Sequence, residues 1–85
     1  MYRVVLSDSA RRFYEAANAS LQRRLDRCFA VLAENPHRHP NIKRLKGKLK
    51  GYNRYRAGNY RVVYRIDEVG RLVIVALIAH RGQAY

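Results

Sequence analysis

The segment from residue 52 to residue 79, YNRYRAGNYRVVYRIDEVGRLVIVALIA, decides the fold. Aromatic and β-branched residues alternate with polar ones through its first half, a pattern typical of strands with one buried face. Gly58-Asn59 and the stretch Asp67–Gly70 interrupt this pattern with residues suited to tight turns. The final run, LVIVALIA, is apolar on both faces, as expected of a strand in the centre of a sheet. The segment therefore predicts three strands, at about 52–56, 60–66 and 71–79.

Before these strands, the sequence predicts one further strand and two helices. Tyr2–Leu6 is a short β-branched run, and Ser7 is a good N-cap for the first helix. In the second helix, which Ser20 is predicted to cap, apolar residues recur every three or four positions. That stripe consists of Leu21, Leu25, Cys28, Phe29 and Leu32. Pro36 ends the helix, because proline disfavours helical backbone at the residue before it.

The basic segment 37–51 joins the helices to the three strands, and we interpret it as a connection that could hold a short irregular strand. The element order is then β-α-α-β-β-β, in a single domain that covers residues 1–85. We therefore predict an α+β fold in which a helical hairpin packs on one face of a small, mostly antiparallel sheet.

The charge of the chain indicates the kind of partner it binds. Eighteen Lys and Arg residues against six Asp and Glu residues give a net charge of +12. Such an excess favours a polyanion: nucleic acid, a ribosome, an acidic protein or, less often, a membrane surface. The single cysteine, Cys28, excludes an intramolecular disulfide, and no apolar run is long enough for a signal peptide or a membrane span. We expect a cytoplasmic protein.

Basic residues and tyrosines are interleaved between residues 38 and 65. Ten of the eighteen basic residues lie there with four tyrosines, and such side chains hold the phosphates and bases of single-stranded RNA. The alternative is that the charge only keeps the protein soluble and that the tyrosines are half-buried strand residues. Strand periodicity favours RNA binding. It places Arg54 and Arg56 on one face of their strand, and it puts Arg61 on the face of its strand that does not carry Tyr60.

Three segments occur in this order after the β-α-α start: KRLKG (43–47), YRAGNYRVVYRI (55–66) and AHRGQAY (79–85). Together they resemble the RelE branch of the RelE/ParE toxin superfamily, and the resemblance covers essentially the whole chain. It implies a compact α+β fold with a twisted antiparallel sheet. It also implies the toxin of a type II toxin–antitoxin module, which cleaves mRNA in the ribosomal A site. The implied partners are ribosome-bound mRNA, ribosomal RNA and a neutralising antitoxin with an acidic toxin-binding segment.

The resemblance also implies which residues act on the RNA. Catalytic positions of the family match Arg61, Arg81 and Tyr85 and, in some members, His80. Without a metal or an organic cofactor, an internal 2′-OH attacks the adjacent phosphorus, and arginines suit the negative charge that develops there. We expect Arg61 and Arg81 to hold this charge, and Tyr85 to stack on a base or to orient the 2′-OH.

One departure from the family bears on the general base. Family members often have lysine at two alternating positions before the glycine turn, and these positions are Arg54 and Arg56 here. Arginine does not deprotonate in proteins, so we expect both residues to bind substrate phosphates rather than to accept a proton. The base is then His80, Tyr85, a water or the substrate itself, and we favour His80.

Three further basic residues are candidate substrate-binding residues that contact mRNA or ribosomal RNA, with a solvated turn as the alternative: Lys43, Arg44 and Lys46. A two-metal nuclease is not predicted, because the six carboxylates are scattered along the chain. Two other functions stay open. One is a ParE-like toxin that inhibits DNA gyrase, although that branch usually has histidine at the position of Arg61. The other is a basic RNA-binding or ribosome-binding module without catalysis.

Overall fold

In the computed structural model, which describes residues 1–82, two helices pack on one face of a five-stranded sheet. The helices are α1 (Asp8–Ala16) and α2 (Ala19–Glu34). The strands are β1 (Arg3–Leu6), β2 (Ile42–Arg44), β3 (Asn53–Ala57), β4 (Tyr60–Asp67) and β5 (Leu72–His80). The predicted α+β fold is confirmed, and the basic segment between α2 and β3 does contain a short strand. No helix within residues 1–82 is long and apolar enough to cross a membrane.

The strands lie side by side in the order β1-β5-β4-β3-β2. β1 runs parallel to β5, and the other neighbouring pairs are antiparallel. β5 therefore has a strand on each side, as its apolar sequence predicts. The turn between β3 and β4 is tight, and Gly58 within it has a φ of +63°, which glycine adopts without strain.

The core lies between the helices and one face of the sheet. Its largest fully buried side chain is that of Tyr64, whose hydroxyl donates to the Pro36 carbonyl over 2.7 Å. This hydrogen bond satisfies a polar group that would otherwise be costly to bury. The other residues that pack around Tyr64 are mostly aliphatic and include Ala10, Leu25, Cys28, Leu32, Val62, Val73 and Val75.

Both helices begin at a polar N-cap. The predicted cap of α1 is confirmed, because Ser7 Oγ accepts the Ala10 N–H over 3.1 Å. The predicted cap of α2, Ser20, is wrong. α2 begins earlier, and Asn18 Oδ1 accepts the Leu21 N–H over 2.9 Å. A cap residue needs extended backbone, which Asn18 has, whereas Ser20 already lies in the first turn.

β5 contains a β-bulge at its centre. The consecutive residues Val63 and Tyr64 of β4 pair with Leu77 and Val75 of β5, so Ala76 is displaced from the ladder. The Ala76 carbonyl accepts a hydrogen bond from the side chain that caps α1, over 2.9 Å. The start of α1 and the bulge in β5 are thereby joined.

The bulge changes which residues of β5 face the helices. Before it, Val73 and Val75 are buried beneath the helices, and after it Ile78 is buried there. Ala79 consequently lies on the opposite face, across from Arg61 of β4. Simple alternation from Val75 would have placed Ala79 under the helices.

Candidate functional site

The face of the sheet that the helices leave open carries a cluster of cations. Lys43 of β2 lies opposite Arg54 of β3, and Arg56 of β3 lies opposite Arg61 of β4. Like charges directly opposite each other on neighbouring strands repel, so this arrangement is destabilising by itself and favours an anion close by. We call these four residues the arginine face.

A cleft of about 420 Å³ opens on the arginine face, and we call it the arginine cleft. Arg44, Leu45 and Lys46, at the end of β2 and just after it, complete its lining. Its charged lining residues are all cationic, and none of the carboxylates within residues 1–82 contributes to it. Guanidinium groups in such a setting match the oxygens of a phosphate.

Acidic side chains that form ion pairs or hydrogen bonds do so with other parts of the molecule. Asp8 and Glu15 lie 3.7 and 3.3 Å from the Arg11 guanidinium on the surface of α1. Asp26 of α2 accepts a hydrogen bond from the Tyr14 hydroxyl over 2.7 Å. These contacts lie within the helical layer and leave the arginine cleft without a neutralising group from the helices.

Backbone carbonyls orient the arginines of the site. The Asn41 carbonyl accepts from Arg54 Nη1 and from the Arg56 N–H, each over 3.0 Å. The Asn59 carbonyl, in the turn between β3 and β4, accepts the Arg81 N–H. The backbone at Arg81 is therefore held at the same hairpin that carries three residues of the arginine face. Sequence reasoning missed both asparagines, because any residue type could supply these carbonyls.

His80 lies on the helix side of the sheet rather than in the arginine cleft. Its ring packs edge-on against Tyr60, with centroids 5.0 Å apart, and Tyr60 in turn packs against Phe13 of α1. His80 Nδ1 lies 2.8 Å from the Arg81 carbonyl oxygen, to which it can only donate. Tyr85, the remaining predicted catalytic residue, lies outside the described residues.

Cys28 is part of the hydrophobic core. It is fully buried, and this burial raises the pKa of its thiol to about 12, so the reactive thiolate is scarce at neutral pH. Within the described part of the chain, no group of three or more His, Cys, Asp and Glu side chains is placed to hold a metal ion.

Comparison with known proteins gives consistent matches. A family profile described as "ParE toxin of type II toxin-antitoxin system, parDE" matches residues 4–85. A curated relative named Toxin RelE, from Mycobacterium tuberculosis, is 42% identical over 57 residues. That match covers 67% of this chain and 57% of the relative, so the chain aligns with little more than half of that protein.

Solved structures share the fold over nearly the whole chain. The toxin–antitoxin complex RelBE2 of Mycobacterium tuberculosis contains a chain that is 28% identical, with a TM-score of 0.82; the match covers 94% of this chain and 98% of that one. A chain in the archaeal RelE–RelB complex of Pyrococcus horikoshii OT3 is 23% identical, with a TM-score of 0.81 and 98% of both chains covered. The isolated E. coli RelE toxin is 16% identical, with a TM-score of 0.81, 99% of this chain and 88% of that one covered.

Proposed function

The chain belongs to the family described as ParE toxins of type II toxin–antitoxin systems, and from that premise we propose that it is a RelE-type endoribonuclease that cleaves mRNA in the ribosomal A site. The RelE/ParE resemblance noted in the sequence is thereby confirmed. The observation that supports the nuclease proposal is the arginine cleft, which Arg54, Arg56 and Arg61 line together with Lys43 and Lys46. RNA phosphate is the ligand that this charge fits best.

The proposed reaction is a transfer within the RNA. A 2′-OH attacks the adjacent phosphorus, a new bond forms between the 2′ oxygen and phosphorus, and the bond to the 5′ oxygen breaks. The products are a 2′,3′-cyclic phosphate and a 5′-OH. Arg61 and Arg81 stabilise the negative charge on the non-bridging oxygens, because their guanidinium groups stay protonated throughout.

The other arginines of the face bind the substrate. Arg54 is half-buried, and its hydrogen bond to the Asn41 carbonyl directs the guanidinium before RNA arrives. Arg56 is exposed and lies directly opposite Arg61, so the two can hold one phosphate between them. Lys43, in the same cleft, extends the positive surface to the edge strand.

His80 remains our prediction for the general base. When Nδ1 carries a proton and donates it to the Arg81 carbonyl, a neutral imidazole has its lone pair on Nε2. The 2′-OH proton would pass to Nε2, and the leaving 5′ oxygen would take a proton from a water molecule to become the 5′-OH. Because His80 lies on the helix side, this requires the RNA to reach the end of β5 from the arginine face. The alternatives are Tyr85, a water and the substrate itself.

We also propose an antitoxin partner for this chain. Two of the matched structures are complexes described as RelBE2 and RelE–RelB. An acidic segment of such a partner would complement the arginine face and exclude mRNA from it. Arg44 and Lys46, which border the cleft, are proposed contacts to ribosomal RNA or mRNA.

A second candidate function follows from the description of the matched family profile. The ParE branch acts on DNA gyrase, and a chain of this family could do so by protein contact. Arg61 stands where that branch usually has histidine, which favours the nuclease. A gyrase supercoiling assay with the purified protein separates the two: inhibition without any mRNA cleavage would establish the ParE-like activity.

The nuclease proposal is tested on programmed ribosomes, with naked mRNA in parallel and primer extension as the readout. We expect cleavage within the A-site codon only when ribosomes are present. Arg61→Ala should lower the cleavage rate about 100- to 1000-fold, the usual effect of removing one preorganised donor to a transition-state oxyanion.

The matched control is Arg65→Ala. Arg65 is exposed on the same face of β4 as Arg61 but does not line the arginine cleft. Arg65→Ala removes one positive charge, as Arg61→Ala does. Equal loss of rate in both variants would show that net charge matters and position does not. Intact mRNA with the wild-type protein would overturn the proposal.

A further inference from the structure

A second, larger cleft of about 800 Å³ lies on the helix side of the sheet. Asn53 and Ile66 line it, and both share a face of the sheet with the buried Tyr64. The segment Arg44–Lys46 lines this cleft and the arginine cleft alike, so the two are neighbours separated by that segment. We call it the loop cleft, because the connection between β2 and β3 forms one of its walls. Its volume is in the range of about 300–1,000 Å³ that is usual for small-ligand sites.

The loop cleft is positively charged. Arg38 comes from the connection between α2 and β2, Arg44 from the end of β2, and Lys46 and Lys50 from the connection between β2 and β3. Glu68 is the one carboxylate from the described residues that lines it. Four cations against one anion favour a ligand that carries phosphate or carboxylate groups.

Glu68, which lines the cleft, is held in place by neighbouring side chains. The Tyr2 hydroxyl donates to Glu68 Oε1 over 2.7 Å, and His37 Nε2 lies 3.3 Å from the same oxygen. Glu68 belongs to the turn between β4 and β5, whereas Lys46 and Lys50 belong to a different connection. The lining thus contains cations that suit phosphate and a carboxylate acceptor that suits the amino group of a base.

An aromatic ring also lines the loop cleft. Tyr52 is half-buried and lines the cleft beside Leu45 and Ile66, which are also half-buried. A tyrosine ring flanked by aliphatic side chains offers a flat apolar surface, on which the bases of single-stranded nucleic acids stack. The same apolar surface would contribute little to the binding of a ligand that has only charged groups.

We propose that the loop cleft binds one nucleotide of single-stranded RNA, with its phosphate on Lys46 and Lys50 and its base on Tyr52. The proposal rests on the proposed function for the class of ligand. An RNA strand whose reacting phosphate lies in the arginine cleft can cross the segment Arg44–Lys46 and place a nearby nucleotide in the loop cleft. The loop cleft is then a second RNA subsite, on the other face of the sheet.

Charge reversal within one connection tests the phosphate contact. Lys50 lines the loop cleft, whereas Lys48, two residues earlier in the 3-10 turn Gly47–Leu49, is exposed and lines neither cleft. Lys50→Glu and Lys48→Glu both change the net charge from +12 to +10, since each replaces +1 by −1. The probe is a fluorescein-labelled, twelve-nucleotide single-stranded RNA, and the readout is its anisotropy with the purified full-length protein, without ribosomes.

We expect Lys50→Glu to raise the dissociation constant about tenfold and Lys48→Glu to raise it less than about threefold, because one is a direct phosphate contact and the other acts through the general field. Equal effects of the two variants would overturn the proposal. If Lys50→Glu instead weakens binding of a poly-glutamate peptide tenfold and leaves RNA binding like that of Lys48→Glu, the cleft binds an acidic protein segment and the proposal is wrong.

The base contact is tested by the pair Tyr52→Ala and Tyr52→Phe. We expect about a tenfold loss of RNA affinity in Tyr52→Ala, in the range measured for one stacked base, and wild-type affinity in Tyr52→Phe, which keeps the ring. Circular dichroism confirms that each variant is folded before binding is measured. Wild-type affinity in a folded Tyr52→Ala would overturn the stacking contact. Because no cleavage is needed, these results stand apart from the outcome of the ribosome assay.

Discussion

Arginine, rather than lysine, determines what the open face of the sheet can do. Arg54, Arg56 and Arg61 are on neighbouring strands, where each guanidinium stays charged and offers several donors in one plane. They can hold a phosphate and stabilise charge on it, but they cannot accept a proton. Any proton transfer in this protein must therefore use a different side chain, the solvent or the substrate.

The hydroxyl of Tyr64 in the core should make a measurable contribution to the free energy of unfolding. Tyr64→Phe removes the donor to the buried Pro36 carbonyl and leaves that acceptor unsatisfied, so we expect the free energy of unfolding to fall by about 1 to 2 kcal/mol. Urea unfolding followed by far-UV circular dichroism measures it. Tyr60→Phe on the same strand is the control, because residues 1–82 offer the Tyr60 hydroxyl no hydrogen bond. Equal costs for the two changes would refute the assignment.

Among the elements, β5 contributes both to the packing of the core and to the geometry of the candidate site. Its first half packs against the helices, and its second half, turned over by the bulge at Ala76, delivers Ala79 to the face of Arg61. The chain then reaches Arg81, whose N–H bonds to the carbonyl of Asn59. A bulge in the centre of the sheet thus coordinates the packing of the core with the geometry of the candidate site.

The cap of α1 should matter more than the cap of α2. Ser7→Ala loses the hydrogen bond to the Ala10 N–H and the donation to the Ala76 carbonyl, whereas Asn18→Ala loses only the bond to the Leu21 N–H. We expect the free energy of unfolding to fall by about 2 kcal/mol in Ser7→Ala and by about 1 kcal/mol in Asn18→Ala. Chemical unfolding of both variants under one condition makes the comparison, and a larger cost for Asn18→Ala would contradict it.

In the whole molecule, one face of the sheet packs the core against the helices and the other face carries the arginine face. The apolar residues of β4 and β5 meet the helices on one face, and the arginine face lies on the other. With a net charge of +12, this arrangement keeps the repelling cations out of the core and gathers many of them where an anion can bind. The helical layer holds the sheet together against that repulsion.

Cys28 reports on the integrity of this arrangement. It is fully buried between the layers with a thiol pKa of about 12, so we expect its reaction with Ellman's reagent at pH 8 to be at least about 1000-fold slower in the native protein than in urea. The control is Ala30→Cys, which adds an exposed thiol on the same helix and should react at once. Fast reaction of Cys28 in the native protein would show that the layers separate readily.

The sequence by itself determined the elements and their kind. Turn residues such as Gly58, the apolar run of β5 and the helical stripe around Leu25 act between residues a few positions apart, and so they are readable without a structure. The same periodicity placed Arg54 and Arg56 together on one face of a strand. It also led to the fold class, whereas the toxin family came from the resemblance carried by three ordered segments.

The tertiary structure alone decided the bulge at Ala76, the choice of Asn18 as the cap and the existence of the loop cleft. Each of these depends on what a neighbouring element offers. Ser7 and Ala76, which are joined by a hydrogen bond, are 69 residues apart in the chain. Every residue type has a backbone carbonyl, so the sequence does not show that the carbonyl of Asn41 will bind an arginine. Packing between distant segments selects among local conformations of similar energy, and periodicity within one segment contains no record of that selection.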